Sequence, residues 1–224
     1  MVSDGSGTKR ISTDGIDYVL SILKFPEKST AFFYRQDGHL FYQITFYHPS
    51  DNLTLVYDFS TQMFFHASDH DLHYYPAAQN VFFNGSIYFV SLNDGGFYLM
   101  DTNYVTYSYS TASGDVGEEI PRIRICDTIR KPDSDRFRAG QFTFWIEQGV
   151  VPSFAPVPSR VDMSVSKDGN KSFGAVVSRE LNPSGRHRNQ IRWWQLGQSN
   201  EFTIQLRFWG FQRFVANNGI LEVY

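Results

Sequence analysis

The sequence predicts an all-β protein, with propeller-type blades followed by an antiparallel β-sandwich-like unit and one short helix near the N-terminus. Three observations support this prediction. Aromatic residues form 17% of the 224 residues, and aromatic side chains favour strands. The 17 glycines and nine prolines are scattered between short apolar runs, as expected for turns that join many short strands. Finally, similar strand segments recur in the first half at a spacing typical of blades.

The predicted helix covers residues 15–24 (GIDYVLSILK). Its apolar residues have helical spacing, and Ser12, Thr13 and Asp14 precede it. These are residue types that cap the N-terminus of a helix by accepting a hydrogen bond from a free backbone N–H. The segment before the cap contains no apolar run, so we do not predict a signal peptide. No apolar run in the sequence approaches the length needed to span a bilayer, so we predict no membrane segment.

A loose internal repeat follows the helix. The repeated strand segments are residues 38–46, 53–58 and 62–65, then 84–90 and 97–101. Gly38 and Gly85 are 47 residues apart, and Asp58 and Asp101 are 43 residues apart. This period predicts about two blades within residues 1–118, with each Asp capping a turn after the second strand. Two blades cannot close a propeller, so either the chain is part of a longer protein, which we favour, or another subunit completes the sheets.

The second half, residues 119–224, predicts an antiparallel β-sandwich-like domain of five or six strands. A polar linker at residues 115–121 precedes it. Residues 136–147 alternate as one long strand whose break at Ala139 and Gly140 predicts a β-bulge. Three prolines within residues 150–158 predict a loop or sheet edge.

Residues 166–173 (SKDGNKSF) match the Asp-box pattern Ser-x-Asp-x-Gly-x-x-aromatic, which marks β-hairpins in propellers and related sheets. We predict that this hairpin has a tight turn. Its structural residues are Ser166, Asp168, Gly169, Asn170 and Phe173. Glycine and asparagine supply the positive φ that the turn requires, and Asn170 stands where the pattern has glycine. Such a motif stabilises a turn and performs no chemistry, so it is evidence about the fold and not about an activity.

The net charge of −3 conceals an asymmetry between the two halves. Residues 1–120 contain 5 Lys or Arg and 14 Asp or Glu, a net charge of −9. Residues 121–224 contain 15 and 9, a net charge of +6. The basic half either faces nucleic acid or contacts the acidic half of a neighbouring copy; alternatively, the two halves are solvated domains of different pI.

No catalytic set is evident, and we predict that the protein is not an enzyme and holds neither cofactor nor metal. Residues 66–73 include three histidines and two aspartates, but their spacing matches no familiar metal site, which favours a polar loop between blades. Glu118 and Glu119 lie in the predicted linker without a partner carboxylate. Cys126 is the sole cysteine, and we expect it to be a small buried residue.

The stretch 186–194 (RHRNQIRWW) interleaves arginine with tryptophan. The candidate interface or DNA-channel residues are Arg186, Arg188, Arg192, Trp193 and Trp194. Arginines can bind phosphates while tryptophans stack on bases. Alternatively, the two residue types alternate across a pleated strand and serve a structural or subunit contact, which is the interpretation we favour.

The order of several motifs resembles the packaged-DNA stabilisation proteins, or tail accessory hub (nozzle) proteins, of short-tailed phages. The matching segments are Arg10-Ile11-Ser12-Thr13, Val56-Tyr57-Asp58, Pro121-Arg122-Ile123-Arg124, residues 136–149, the Asp-box and residues 191–197. The resemblance covers nearly the whole chain but only the C-terminal half of the family's usual length. Asn170 and Phe173 depart from the family's usual Gly and Trp, and residues 198–200 lack a frequent Arg.

The resemblance implies a structural virion protein in the phage tail, assembled in the host cytoplasm. It implies a homo-oligomeric ring below the portal and its adaptor, which extends the channel and helps to retain packaged double-stranded DNA. The tail needle and tailspike or fibre proteins are the further partners that it implies. The alternative is a carbohydrate-binding or sialidase-like β-propeller fragment, because Asp-boxes occur there too; a nucleic-acid-binding module is a third possibility.

Overall fold

The computed structural model describes residues 2–3, 7–69, 71–101, 106–111, 114–133, 135–148, 159–181, 188–210 and 214–224. Contacts divide the chain into two compact units, Met1–Thr102 and Asn103–Tyr224. This division precedes the predicted domain boundary after residue 118. Strands dominate the described residues, and every described strand pair is antiparallel. The all-β class is therefore confirmed.

The first unit contains one helix and nine strands among its described residues. They are β1 (Val2–Ser3), β2 (Thr8–Lys9), α1 (Asp14–Ser21), β3 (Ser29–Gln36), β4 (His39–Phe46), β5 (Leu53–Asp58), β6 (Met63–His66), β7 (Ala77–Phe83), β8 (Ser86–Ser91) and β9 (Phe97–Met100). The Thr13 hydroxyl caps α1 by accepting a hydrogen bond from the Ile16 N–H at 3.4 Å, which confirms the predicted cap. Within the described residues, no helix is long and apolar enough to cross a membrane.

Strands β3 to β6 form a four-stranded sheet in sequence order, and β7 to β9 form a three-stranded sheet in the same manner. The first sheet thus has the strand order and connections of a propeller blade, as the internal repeat predicts. The repeat located β4, β5, β6, β8 and β9 but not β3 or β7. The segment between β6 and β7 is a loop between the two sheets, as predicted for residues 66–73, although β6 extends to His66 and His70 lies outside the described residues.

The two sheets of the first unit pack together through a small aromatic core. Phe32 from β3 lies with Ala77 and Phe89 from the second sheet, and all three are buried. A hydrogen bond also joins the two sheets: the side-chain Nδ2 of Asn80 on β7 donates to the backbone carbonyl of Phe33 on β3 at 3.0 Å. Burial of these apolar side chains stabilises the contact between the two sheets.

The opposite face of the three-stranded sheet is apolar and exposed. Pairing of β7 with β8 and of β8 with β9 places Val81, Phe83 and Phe97 on one face with Tyr88 and Val90. The first three side chains are 49%, 70% and 71% exposed. Gln79 and Ser86 also belong to this face, which is therefore mainly and not wholly apolar. Large exposed apolar patches are uncommon on protein surfaces.

The second unit is a two-sheet sandwich with an additional hairpin. Its strands are β10 (Thr106–Thr111), β11 (Gly114–Glu119), β12 (Arg122–Ile125), β13 (Ile129–Arg130), β14 (Phe137–Gln148), β15 (Arg160–Ser166), β16 (Val177–Glu180), β17 (Arg188–Ser199), β18 (Glu201–Trp209) and β19 (Phe214–Val223). One sheet has the order β12-β18-β15-β16, with β13 also paired to β18, and the other has the order β17-β14-β19. The sandwich thus has eight described strands, compared with the five or six predicted.

The predicted linker at residues 115–121 is wrong. Residues 114–119 form β11, which pairs along its whole length with β10 from Thr106↔Glu119 to Thr111↔Gly114. Glycines and acidic residues give this strand a low intrinsic β-propensity, and cross-strand pairing overrides that preference. The predicted loop at residues 150–158 lies outside the described residues.

The sandwich core joins the inward-facing residues of both sheets. Phe142, Phe144 and Ile146 of β14 alternate inward, as the sequence predicts, and pack against β15, β17 and β18. The residues completing this buried cluster are Val161, Met163, Leu181, Ile191, Trp193, Ile204, Leu206 and Phe208. A register shift between Ala139 and Gln141 confirms the predicted β-bulge in β14. Cys126 is half-buried against the same core, and its burial raises the pKa of the thiol.

Candidate functional site

The Asp-box lies in a long loop and not in the predicted tight turn. Strand β15 ends at Ser166 and β16 begins at Val177. The Gly174 N–H returns to donate to the Val165 carbonyl at 2.9 Å, so the intervening residues form a closed, folded loop. Gly169 and Asn170 both have a φ of +70°, which confirms the conformation predicted for these two residues.

The Asp168 carboxylate organises this loop. Its Oδ1 accepts hydrogen bonds from the Ser166 hydroxyl at 2.7 Å, the Lys171 N–H at 3.1 Å and the Ser172 N–H at 3.0 Å, and Oδ2 accepts from the Ser172 hydroxyl. The Ser166 hydroxyl in turn accepts from the Asn170 N–H at 3.0 Å. Because the Ser172 hydroxyl and N–H and then the Ser166 hydroxyl favour the charged form, they hold the pKa of Asp168 well below its usual range.

Every oxygen of this carboxylate is thus engaged in shaping the loop. Phe173 is half-buried, and Gly169 lies so close to the Glu201 carboxylate that an added Cβ would stand 3.2 Å from its Oε1. The Lys167 ammonium sits 5.5 Å from the centre of the Phe202 ring. These contacts hold the loop against β18, so the Asp-box residues have a structural role.

Residues 188–194 of the basic stretch form the beginning of edge strand β17, with alternate residues on opposite faces. Arg188, Arg192 and Trp194 are exposed, whereas Ile191 and Trp193 are buried. Arg188 donates to Glu147 Oε1 at 3.0 Å, and Arg192 donates from Nη2 to the Gln190 amide oxygen at 2.9 Å. Residues therefore alternate across the pleat, but arginine and tryptophan are not separated by it, because Trp194 lies on the same face as Arg188 and Arg192.

Trp193 does not contribute to a surface. Its side chain is 1% exposed, its ring lies 5.9 Å from that of Phe142, and its Nε1 donates to the Val177 carbonyl at 3.0 Å. Its inclusion among the interface or DNA-channel candidates is wrong, because side chains of adjacent strand residues point to opposite faces. Trp194 is 56% exposed beneath the Arg179 guanidinium, 6.0 Å from the ring centre. Arg186 lies outside the described residues.

The aspartate predicted to cap the turn after β5 does so. Asp58 accepts hydrogen bonds from the Ser60 N–H at 2.8 Å and the Thr61 hydroxyl at 2.9 Å, and its Oδ2 lies 2.8 Å from His39 Nδ1. Burial raises the pKa of Asp58, but the hydrogen bonds from His39, Ser60 and Thr61 outweigh burial and leave the pKa below its usual value. Asp101 is described, whereas residues 102–105, which would complete the second turn, are not.

The histidine-rich loop brings Asp69, Asp71 and His73 together, with potential ligand atoms within 4.8 Å of one another. Asp69 Oδ1 accepts from the Asp71 N–H at 3.0 Å and the His73 N–H at 2.8 Å. The Asp69 carboxylate therefore already serves as the hydrogen-bond acceptor that shapes the turn. His66 lies apart at the end of β6, and burial lowers the pKa of its imidazole.

One cleft was not predicted from the sequence as a site, although Arg188 of the basic stretch is among its lining residues. It occupies about 440 Å³ on the outer face of the β17-β14-β19 sheet. Its lining residues are Trp145, Ile146, Glu147, Arg188, Asn189, Asn217, Asn218 and Ile220. We call it the Trp145 cleft. The sequence signal for it is the polar pair Asn217-Asn218 within an otherwise apolar strand.

No family model and no curated protein matches the chain. Among solved structures, the chain is similar to a glycoside hydrolase family 43 arabinoxylan arabinofuranohydrolase from Bacillus subtilis, solved in complex with cellotetraose. The identity is 8% and the TM-score is 0.27, over 87% of this chain and 54% of that chain. The chain thus spans about half the length of that enzyme, and a likeness this weak does not support transfer of its activity.

Proposed function

We propose that this protein is a structural component of a phage tail hub, which forms a homo-oligomeric ring below the portal and adaptor and helps to retain packaged DNA. In this proposal it performs no catalysis, and its neighbours are the adaptor, the tail needle and the spike or fibre proteins. The order of sequence motifs supports the family resemblance. The observation that carries the mechanism is the opposite charge of the two folded units.

The first unit, residues 1–102, contains 5 Lys or Arg and 11 Asp or Glu, a net charge of −6. The second unit, residues 103–224, contains 15 and 12, a net charge of +3. Charges of opposite sign on different surfaces favour head-to-tail contacts between copies, and such contacts close into a ring when the rotation allows it.

The second unit also carries arginines that are available to a partner. The exposed side chains of Arg124, Arg136 and Arg138 make no hydrogen bond or ion pair with any residue that the structure describes. By contrast, Arg130 is paired with Glu201, and Arg188 with Glu147. Unpaired arginines release counterions when they meet phosphates, and they equally suit carboxylates on a neighbouring subunit.

Light scattering coupled to gel filtration tests the ring. We expect an oligomer at about 0.1 M salt, where the Debye length is about 10 Å, and dissociation at about 1 M, where it is about 3 Å. A monomer at every salt concentration would refute the ring for this chain.

Binding to a double-stranded DNA fragment tests the contact with packaged DNA. Replacing Arg124, Arg136 and Arg138 together by Gln should reduce the slope of log affinity against log salt by up to about 0.9 per lost phosphate contact. The control is Arg130→Gln, which removes one arginine that is already paired with Glu201 and should change the slope little. A slope near zero for the unaltered protein would exclude appreciable phosphate contact and end this part of the proposal.

A further inference from the structure

The Trp145 cleft is shaped by an irregularity in β19. On this strand Asn218 pairs with Trp145 and Ala216 pairs with Ile146, so Asn217 has no partner on β14. In a regular strand Asn217 and Asn218 would point to opposite faces. The extra residue forms a bulge, and as a result both asparagines line the same cleft.

Three side chains of the cleft offer polar groups to a ligand. Within the described chain, no hydrogen bond is made by the side chains of Asn217, Asn218 or Trp145. Both asparagines are exposed, and Trp145 is partly exposed at the centre of the face. Each amide offers two donors and one acceptor oxygen, and the indole offers a flat apolar face together with one N–H.

The charges at the rim of the cleft compensate each other. The Arg188 Nε donates to Glu147 Oε1 at 3.0 Å, and both residues line the cleft. Among the lining residues that the structure describes, the cleft therefore presents no uncompensated cation to attract an anionic ligand. A polyanion such as single-stranded nucleic acid requires a net positive groove beside its stacking rings.

We propose that the Trp145 cleft binds a neutral oligosaccharide. A sugar ring presents a flat patch of C–H groups, which stacks on an indole, and a rim of hydroxyls that both donate and accept hydrogen bonds. The cleft offers the complementary set: one aromatic side chain, two amides that hydrogen bond to no described residue, and an ion pair whose charges neutralise each other. This site lies within the sandwich and does not depend on ring formation or on DNA.

Titration of the full chain by calorimetry tests the proposal, with maltotriose, xylotriose, mannotriose and triacetylchitotriose as probes at up to about 10 mM. We expect at least one of them to bind. We expect 3′-sialyllactose and oligothymidylate to bind more weakly than the best neutral probe. Failure of all four neutral sugars, or tighter binding of either anionic probe, would overturn the proposal.

Variants then locate the site for the sugar that binds. Trp145→Ala should weaken binding about tenfold or more, whereas Trp145→Phe, which keeps a ring, should weaken it less. Deletion of Asn217 should also weaken binding while leaving the strand pairing regular, because that residue has no partner in the ladder. Thermal unfolding checks that each variant folds.

Trp194→Ala is the matched control, because Trp194 is an exposed tryptophan on the same sheet that lines a different cleft. We expect it to change the affinity less than about twofold. An equal loss of affinity in Trp145→Ala and Trp194→Ala, or a loss in Trp194→Ala alone, would overturn the assignment to the Trp145 cleft.

Discussion

Replacing Trp193 by alanine should destabilise the second unit by about 3–5 kcal/mol, the usual cost of truncating a fully buried tryptophan. The side chain is 1% exposed, packs beside Phe142 and donates its N–H to the Val177 carbonyl. The same replacement at Trp194, which is 56% exposed and contacts Arg179, should cost about 1 kcal/mol or less. The two substitutions are chemically identical and adjacent, so their difference reports mainly burial, together with the hydrogen bond of Trp193.

Urea denaturation followed by tryptophan fluorescence measures this difference. All four tryptophans lie in the second unit, so their emission reports the unfolding of that unit. With a slope of about 2 kcal/mol per molar urea, a loss of about 4 kcal/mol lowers the midpoint by about 2 M. Two results would refute the assignment of Trp193 to the core: similar midpoints for the two variants, or a midpoint for Trp193→Ala that decreases by less than about 0.5 M.

Three further outcomes follow from the described contacts. Asp58→Asn should destabilise the first unit by about 1–3 kcal/mol, since donors such as His39 lose a charged acceptor. The folded pKa of Asp58 lies below the unfolded value of about 3.9, so its contribution is present above that pH and is lost as the pH falls through the folded pKa. Melting curves followed by far-UV circular dichroism should therefore show a weaker acid dependence in the variant. Asp168→Ala should accelerate hydrogen exchange at the Ser172 amide, and unchanged protection would contradict the role of the carboxylate. Asn170→Val should cost about 1–2 kcal/mol in urea denaturation because φ is +70°, whereas Asn170→Gly should remain within about 0.5 kcal/mol.

The controls for these variants come from the same chain. Thr45 and Thr54 hydrogen bond to each other in the first unit without a titratable group, so Thr45→Val should lower stability without altering its acid dependence. For the loop, the amides of β15 that pair with β18 should retain their protection in Asp168→Ala, because the ladder from Arg160↔Trp209 to Ser166↔Thr203 does not involve the carboxylate. Loss of protection in both regions would indicate general unfolding.

Local signals predicted much of the architecture. The cap at Thr13, the alternation through Phe142 and Phe144, and the bulge beside Gly140 each depend on residues near one another in the chain. Features that depend on register were not predicted. A shift of one residue reverses the face on which a side chain lies, so Trp193 was assigned to a surface that only Trp194 occupies.

The Trp145 cleft was not predicted because it also depends on strand register. It requires three strands that are distant in sequence, and its two asparagines converge only because Asn217 is surplus to the β14–β19 ladder. The hairpin of β10 and β11 was missed for a related reason, since its stability derives from pairing and not from the composition of β11. Pairing across strands is information that a single strand's sequence does not contain.

The exposed face formed by Val81, Phe83 and Phe97 has a practical consequence for work on the purified protein. Hydrophobic dyes should fluoresce on the native protein, so dye binding will not by itself indicate unfolding. Association through this face should be strengthened by sulfate or phosphate salts, whereas the proposed contacts between oppositely charged units of neighbouring copies should be weakened by sodium chloride. The response to each salt therefore distinguishes assembly through charged surfaces from non-specific hydrophobic association.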